Sequence, residues 1–253
     1  MERLRMKRNL KDKLVVVTGA SGNLGRALVT GLLQKQARVM AVDVDSQGLK
    51  DLTMEVQSSL VQTMVMDLMQ ASSQQAWEEI RSLEPDGIIL NAGITRIAPF
   101  AETSEQDFRS IFEVNFFSSV GALHALLPGL QVKRGFVAAV SSVSGFAPLK
   151  FRSAYSPSKH AISALMDTLR TEVTGVDFTI AYPSFLSTEV KSSSKQASRS
   201  ARGSLSPQDV AAAIVSGVER RKPRLLLPFQ AKLARLLWAL WPSRFLRMME
   251  KRA

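Results

Sequence analysis

Short apolar runs alternate along the chain with amphipathic stretches of helical length. The runs predict strands, because strands buried on both faces of a parallel sheet are continuously apolar. The intervening stretches predict crossover helices, and repeated strand–helix–strand units build a parallel sheet covered on both faces. We therefore predict the α/β class, with a doubly wound parallel sheet in a single domain over residues 1–253. The predicted strands are residues 14–18, 38–43, 62–66, 87–90, 135–140, 177–182 and 224–228.

A polar segment separates the sixth predicted strand from the helix that follows it. Residues 191–206 are rich in serine and cations and poor in apolar side chains, which favours a loop. Ser206 and Pro207 then predict a helix start, as an N-cap and a proline at the first helical position, and this helix extends to about Glu219. Because the loop follows a strand end where an active site would lie, we predict that residues 184–206 form a substrate lid.

The last part of the chain, residues 229–253, predicts an amphipathic extension. Apolar residues recur at helical spacing up to Trp241 and Pro242, and a second short run follows. Tryptophans beside cations favour a helix that lies in the plane of an anionic membrane surface. The alternative is a helix packed over the substrate pocket or against a second subunit, and both interpretations favour an apolar substrate. The apolar positions are Phe229, Leu233, Leu236, Leu237, Leu240, Phe245, Leu246, Met248 and Met249.

Charge is distributed unevenly along the chain, which has 33 Lys and Arg, 22 Asp and Glu, and a formal net charge of +11. Residues 14–190 carry 13 basic and 17 acidic side chains, so the surplus lies in residues 1–13, 191–202 and 219–253. A mildly acidic body with basic ends fits an anionic surface better than a nucleic-acid groove. We expect no nucleic-acid binding, and we predict that residues 1–13 form a basic N-terminal arm.

The scarcity of metal-binding side chains limits the chemistry. The chain has no cysteine, and its two histidines, His124 and His160, lie far apart without the spacing of metal ligands, so we predict no metal site. No uninterrupted apolar stretch is long enough to span a membrane, and the first residues lack the features of a secretory signal. We expect a cytoplasmic protein that associates peripherally with membranes through residues 229–253.

A glycine-rich turn directly follows the first predicted strand and opens a helix. Its glycines allow a tight turn and a close approach of the backbone to a pyrophosphate, whose charge the helix N-terminus stabilises. An ordinary glycine turn is the structural alternative. Asp43 favours the dinucleotide interpretation, because a carboxylate at the end of the second strand accepts from both ribose hydroxyls of NAD and repels the 2′-phosphate of NADP. We predict NAD, without excluding NADP. The predicted contacts in the turn are Gly19, Ser21, Gly22, Asn23, Leu24 and Gly25.

Tyr155 and Lys159 lie four residues apart, with Ser142 thirteen residues upstream. Residues four apart on a helix share a face, so the ammonium sits beside the phenol and lowers its pKa from the usual value of about 10. This set moves a proton and a hydride at a carbinol carbon, which predicts an oxidoreductase. A chance pair of residues on a surface helix is the alternative, and the cofactor motif argues against it.

With these motifs assembled, the chain resembles the short-chain dehydrogenase/reductase family, in its short single-domain branch, from about Leu14 to Thr188. The resemblance implies a Rossmann-type fold with NAD or NADP, and homo-oligomers formed through the helices that contain Asn115 and Tyr155. It implies that Asn115 holds a water linking Lys159 to solvent. The implied catalytic residues are Asn115, Ser142, Tyr155 and Lys159. The implied further cofactor contacts are Asp67, Leu68, Asn91, Ala92, Gly93, Tyr155, Lys159, Pro183 and Thr188.

Three positions depart from the family pattern. Asn23 stands where the short branch usually has its middle glycine, Ser184 replaces the usual glycine after Pro183, and Leu90 replaces an asparagine before Asn91. None of these positions belongs to the proton relay.

Together these features predict an NAD(P)-dependent oxidoreductase that interconverts a secondary alcohol and a ketone on a lipophilic substrate such as a lipid, sterol or retinoid. Cations of the lid segment, among them Lys191, Lys195, Arg199 and Arg202, support the alternative of a 3-oxoacyl thioester reductase. A hypothesis of another class is a catalytically silent NAD-binding interaction protein. The intact relay argues against this last hypothesis, because a pure binder does not need it.

Overall fold

The computed structural model describes residues 6–70, 73–184 and 205–251. In these residues seven parallel strands form one sheet in the order β3-β2-β1-β4-β5-β6-β7. The strands are β1 (Leu14–Thr18), β2 (Arg38–Asp43), β3 (Val61–Val65), β4 (Gly87–Leu90), β5 (Phe136–Val140), β6 (Asp177–Pro183) and β7 (Arg224–Leu227). The predicted class and doubly wound sheet are thereby confirmed.

Helices cover both faces of this sheet. They are α1 (Asn23–Leu33), α2 (Ser46–Val56), α3 (Ser73–Ser82), α4 (Glu105–Phe112), α5 (Ser118–Val132), α6 (Tyr155–Glu172), α7 (Pro207–Glu219), α8 (Phe229–Leu240) and α9 (Pro242–Glu250). A π-helical turn, Glu113–Phe117, joins α4 to α5 without a break. Ser206 caps α7 by accepting from the Asp209 backbone N–H, as its sequence predicts.

The side chains of β1 show how the sheet separates two cores. Val15 and Val17 belong to the core beneath α1 and α7, whereas Val16 belongs to the core beneath α3, α5 and α6. Successive strand residues point to opposite faces, and each of these three valines is fully buried. A continuous apolar strand is therefore required where both faces of the sheet are covered.

The predicted basic arm is not free in the part that the structure describes. Arg8 donates from Nη2 to the Asp177 carboxylate at 2.6 Å, and its guanidinium carbon lies 5.2 Å from the centre of the Phe136 ring. Its backbone N–H donates to the Glu219 carbonyl. Arg8 of the predicted arm is thus docked against β5, β6 and α7.

The helices α8 and α9 pack against the loop that follows β5. Phe245 and Met249 are buried beside Ala147, with Leu237 and Trp238 completing this small core. The predicted lid, residues 184–206, is outside the described residues except for Ser184, Leu205 and Ser206.

Among the described residues, one continuous helical stretch, Glu105–Val132, has the length and apolar content of a membrane span. This stretch is α4, the π-helical turn and α5. Three of its buried residues, Leu123, Leu126 and Leu130, belong to the core beneath α3, α5 and α6. About a third of its apolar window, 33%, is buried inside the protein.

Candidate active site

The site residues gather at the carboxyl end of the sheet. The chain reverses its crossover direction between β1 and β4, which are neighbours in the sheet, and ligands of open parallel sheets bind at such a switch point. The candidate residues follow β1, β2, β4, β5 and β6 or lie on helices that begin at this edge. Parallel pairing therefore brings together residues that are far apart in the sequence.

The glycine-rich turn has the backbone geometry that its sequence predicts. Gly19 has φ +63°, and a Cβ there would lie 2.8 Å from the Ala92 Cα. A Cβ on Gly25 would lie 2.0 Å from the Gly19 carbonyl oxygen. Gly22 precedes α1, and no described side chain caps the N-terminus of this helix. Its backbone N–H groups therefore remain available to an anion such as a pyrophosphate.

Hydrogen bonds join the turn after β1 to the loop after β4. The Thr18 hydroxyl accepts from the backbone N–H groups of Asn91 and Ala92, at 3.0 and 3.1 Å. The Asn91 side chain donates to the carbonyls of Thr18 and Gly19. Both predicted cofactor loops are thus held in one arrangement.

Asp43 is fixed at the end of β2 by two backbone donors. Its Oδ2 accepts from the Ser21 N–H at 2.9 Å, and its Oδ1 accepts from the Asp45 N–H at 3.1 Å. Each carboxylate oxygen keeps a lone pair, because a carboxylate has about four acceptor positions. The Asp43 carboxylate therefore lies beside the glycine-rich turn with acceptor capacity for ribose hydroxyls.

Asp67 and Leu68 lie in the turn after β3. The Asp67 carboxylate accepts from the Met69 backbone N–H and from the Gln70 side chain, both at 2.9 Å, so it stabilises its own turn. Leu68 lines a cleft with Trp77 and Phe117. Their predicted contacts with a cofactor remain predictions.

Asn115 is buried in the π-helical turn and holds two elements together. Its Oδ1 accepts from the Ile94 N–H at 2.8 Å, and its Nδ2 donates to the Ile94 carbonyl and to the Ser158 hydroxyl. Both amide hydrogens are therefore used within the protein. The side chain fixes the loop after β4 against α6, so a water at Asn115 would have to bind a carbonyl oxygen.

Ser142 and Tyr155 meet across the loop between β5 and α6. Ser142 precedes a 3₁₀ turn, Val143–Gly145, and its hydroxyl accepts from the Ser144 backbone N–H at 3.1 Å. The same hydroxyl lies near enough to the Tyr155 phenol to lower the pKa of the phenol. Tyr155 is the first residue of α6 and is partly buried. A substrate oxygen between these two hydroxyls would have two hydrogen-bonding partners.

Lys159 lies one helical turn after Tyr155, with its ammonium nitrogen 5.8 Å from the centre of the phenol ring. The shared helix face is as predicted. The ammonium donates to the Val140 carbonyl at 2.9 Å, and burial lowers its pKa to about 8. A Cβ on Gly93 would lie 3.3 Å from this ammonium, so the loop after β4 is close to the relay.

The pKa of Tyr155 differs from its prediction. Burial raises the pKa of the phenol above its usual value, and the hydrogen bond with Ser142 and the charge of Arg152 only partly oppose this rise. The buried Lys159 ammonium gains no carboxylate partner among the described residues and loses its own proton more easily. The pKa of the phenol is thus raised on balance, which is opposite to the direction that the sequence predicts.

Sequence reasoning missed Thr18, Ser158 and Arg152. Thr18 is the residue before the glycine turn, and Ser158 precedes Lys159, so their positions within recognised motifs could have indicated them. The Arg152 guanidinium lies 5.4 Å from the centre of the Tyr155 ring and donates to the Thr95 hydroxyl. Only its position three residues before Tyr155 could have suggested this contact.

The last predicted cofactor residues follow β6. Pro183 ends that strand, and the next N–H, of Ser184, donates to the Leu227 carbonyl. Thr188 lies outside the described residues.

The sequence matches known proteins over its whole length. A family model described as short chain dehydrogenase matches residues 13–199. The protein called dehydrogenase/reductase SDR family member 7B from Xenopus tropicalis is 30% identical over 276 residues, which cover 100% of this chain and 89% of that protein. The Rattus norvegicus protein of the same name is 32% identical, with 100% and 85% covered.

Solved structures share the fold. A short-chain dehydrogenase from Streptomyces avermitilis is 25% identical with a TM-score of 0.80, over 95% of this chain and 97% of that one. A short chain dehydrogenase from Burkholderia cenocepacia in complex with NADP has 21% identity and a TM-score of 0.82, over 96% and 99%. A Burkholderia phymatum protein in complex with NAD has 21% identity and a TM-score of 0.78, over 92% and 96%.

Proposed function

The chain belongs to the short-chain dehydrogenase/reductase family and is an oxidoreductase, and from this premise we propose that it interconverts a lipophilic secondary alcohol and its ketone with NAD. The observation that carries the proposal is the contact of Ser142 with Tyr155 beside Lys159, at the carboxyl end of β5 and close to Gly93. The Lys159 ammonium lies close to Gly93, in the loop that the family uses for its nicotinamide cofactor.

The chemistry follows from these side chains. A bound nicotinamide supplies the hydride acceptor for oxidation and the hydride donor for reduction. In oxidation, ionised Tyr155 takes the hydroxyl proton of the substrate as the carbinol carbon loses its hydride, and in reduction the neutral phenol returns a proton to the carbonyl oxygen. Ser142 donates a hydrogen bond to that oxygen, and Lys159 stabilises the ionised phenol.

Asp43 supports NAD as the preferred cofactor. Its carboxylate is held by the backbone N–H groups of Ser21 and Asp45, so its position does not depend on the ligand. A fixed negative charge there accepts from the ribose hydroxyls and repels a 2′-phosphate. The remaining predicted contacts of the turn and of residues 67–68, 91–93, 183 and 188 belong to the same proposal.

The C-terminal helices support a lipophilic substrate. Phe245 and Met249 pack against Phe146, Ala147 and Leu149, which lie between Ser142 and Tyr155 in the sequence. This packing supports apolar surroundings for a bound substrate. A long-chain or polycyclic alcohol fits such surroundings better than a small hydrophilic one.

The experiment is a screen of alcohols and ketones of increasing chain length with NAD and NADP, followed by nicotinamide absorbance. The proposal expects turnover that rises with chain length and is faster with NAD. Turnover of 3-oxoacyl thioesters with NADPH instead would favour the alternative reductase. Binding of NAD without turnover of any compound would favour the silent interaction protein and refute the proposal.

We also propose that α8 and α9 bind an anionic membrane surface. The outer residues of these helices are exposed, with Leu236 at 54% and Trp241 at 51%, although Leu237 and Trp238 face the protein. Membrane binding and packing on the protein are thus compatible interpretations of the extension, because opposite sides of one helix can make the two kinds of contact. Arg235, Arg244 and Arg247 add positive charge near the apolar residues.

Vesicle sedimentation tests the membrane proposal. Phosphatidylserine vesicles are expected to retain the full-length protein at low salt and to release it at high salt. Leu236→Gln should weaken binding, whereas Val132→Gln, which changes an 86% exposed side chain at the end of α5, should not. Equal binding of both variants, or none by the wild type, would exclude this surface.

Self-association through α5 and α6 is a further part of the proposal. A shallow groove between these helices is lined by Leu123, Leu127, Leu165 and Leu169. Apolar grooves of this kind favour a second copy of the same chain. Sedimentation velocity should show a dimer or tetramer that Leu169→Glu converts to monomer, and a monomeric wild type would contradict this.

A further inference from the structure

The phenol ring of Tyr155 lies near two cations. The Lys159 ammonium nitrogen is 5.8 Å from the ring centre, and the Arg152 guanidinium carbon is 5.4 Å from it. Lys159 belongs to α6, whereas Arg152 belongs to the loop before α6. The established relay of the family accounts for Lys159 and leaves Arg152 without a role.

We propose that Arg152 is a positioning residue for Tyr155. The permanent positive charge of Arg152 stabilises the phenolate that Tyr155 forms during proton transfer. This inference deepens the proposed function and rests on it for the role of Tyr155. Arg152 acts through the phenol, so it is distinct from the residues that would touch the substrate.

The backbone holds Arg152 in place. Arg152 forms an isolated parallel bridge with Ala98, and the Ala98 N–H donates to the Phe151 carbonyl at 3.1 Å. The Arg152 carbonyl accepts from the Ser156 N–H at 2.8 Å in the first turn of α6. The Arg152 backbone is therefore tied to the same helix start as Tyr155.

No described carboxylate pairs with Arg152. Its Nη1 donates to the neutral Thr95 hydroxyl, and its burial lowers its own pKa while the phenol raises it. The positive charge of an arginine that has no ion-pair partner is not neutralised, so it stabilises the nearest group that becomes negative. In this part of the described structure that group is the Tyr155 phenol.

Two cations close to Arg152 in the sequence or next to its partner Thr95 have other partners, and Lys159 loses its charge. Arg96, from the loop after β4, pairs with Asp107 and donates to the Glu102 carbonyl. Lys150 donates to the Glu250 carbonyl. Lys159 has a pKa of about 8 and is increasingly neutral above it. In mildly alkaline solution Arg152 thus keeps a charge that Lys159 loses, because arginine stays protonated in proteins.

The test titrates the phenol directly and needs no substrate. The chain has two tyrosines, so Tyr182→Phe leaves Tyr155 as the only one. Biosynthetic labelling with 3,5-difluorotyrosine makes the phenol more acidic, and ¹⁹F NMR then follows its ionisation in a pH range where the protein is folded. Circular dichroism checks the fold of each variant.

Arg152→Gln in this background is expected to raise the midpoint of the Tyr155 ionisation by about 0.5 to 1 pH unit. This is the effect of removing one charge about 5 Å away at an effective dielectric constant of roughly 40 to 80. Arg152→Lys should restore most of the shift. Two controls should leave the midpoint unchanged. Arg96→Gln removes a neighbouring charge that is already paired, and Thr95→Val removes the hydrogen bond but keeps the guanidinium.

An unchanged midpoint in folded Arg152→Gln would overturn the proposal, and so would an equal shift in Arg96→Gln, which would indicate a general charge effect. If Arg152→Gln does not fold, Arg152→Met serves as the neutral variant. Because the measurement involves no turnover, its failure leaves the proposed function standing. Failure of the substrate screen likewise leaves the midpoint shift to be measured.

Discussion

The Lys159 ammonium nitrogen lies 2.9 Å from the Val140 carbonyl oxygen, in the interior where α6 meets the end of β5. Lys159 is only 4% exposed, and no ion pair forms with it among the described residues. One hydrogen bond to a carbonyl does not replace the hydration of an ammonium. The protein therefore keeps a destabilising charge at the place where the relay needs it.

Lys159→Met is expected to stabilise the fold and to abolish turnover. The Lys159 pKa falls from 10.5 to about 8 on folding, so the folded state binds the proton less well than the unfolded state. The gain at pH 7 is on the order of 1 to 2 kcal/mol, after allowance for the Val140 carbonyl that loses its partner. Urea denaturation at several pH values measures it.

The pH dependence of the free energy of unfolding shows whether the charge of Lys159 is destabilising. The unfavourable contribution of Lys159 is fully present below pH 8 and decreases between about 8 and 10.5, so wild type and Lys159→Met should converge as pH rises through this window. Lys150→Met, at an exposed lysine, is the control and should show no such convergence. A Lys159→Met variant less stable than wild type at pH 7 would contradict the argument.

Tyr155→Phe is expected to abolish turnover while NAD binding changes little. The substitution removes the acid/base hydroxyl but keeps a ring of nearly the same shape beside Ser142. Single-turnover absorbance and calorimetric NAD affinity measure the two effects separately. A variant that retains the full rate would refute the role of the phenol.

Asp43→Ser should reverse the cofactor preference. The variant loses the hydrogen bonds of a carboxylate to ribose hydroxyls and the repulsion of a 2′-phosphate, so NAD affinity should fall about 10- to 100-fold while NADP affinity rises. Asp43→Asn, which keeps the shape, should lose less of the Ser21 contact and serves as the control. Unchanged affinities for both cofactors would mean that Asp43 does not reach the ribose.

Gly25→Ala should destabilise the protein and weaken dinucleotide binding. Its Cβ would lie 2.0 Å from the Gly19 carbonyl oxygen, which is backbone and can move only if the turn moves. We expect a loss of about 1 to 3 kcal/mol. Gly129→Ala is the matched control, since its Cβ would meet nothing within 4 Å in α5, and it should be neutral or slightly stabilising. Thermal melts with and without NAD compare the two.

The bounds of the buried strands could be predicted closely, because a strand that is buried on both faces is a continuous apolar run in the sequence. The bounds of β1, β2 and β4 agree with the apolar runs. The edge strand β3 begins one residue earlier than predicted, and its residues are exposed or only partly buried, so its hydropathy marks its ends less sharply. Local motifs likewise predicted the N-cap at Ser206 and the common face of Tyr155 and Lys159.

What the sequence could not indicate depends on contacts between distant residues. Arg8 pairs with Asp177, 169 positions away, so a basic N-terminus looked free when it is docked. The sign of the Tyr155 pKa shift depends on how deeply α6 buries its first turn, which periodicity does not measure. The two sides of α8 could not be separated either, because leucines lie on both, Leu237 on the packed side and Leu236 on the exposed side.

The hydrogen bonds between Thr18 and Asn91 bear on the thermodynamics of dinucleotide association. They join the loops after β1 and β4 within the protein itself, so a ligand meets a cradle that is already assembled. The conformational entropy of ordering these loops is then lost when the chain folds, and little more is lost on association. Affinity can accordingly come from a few polar contacts, and Thr18, which need not touch the ligand, contributes to it indirectly.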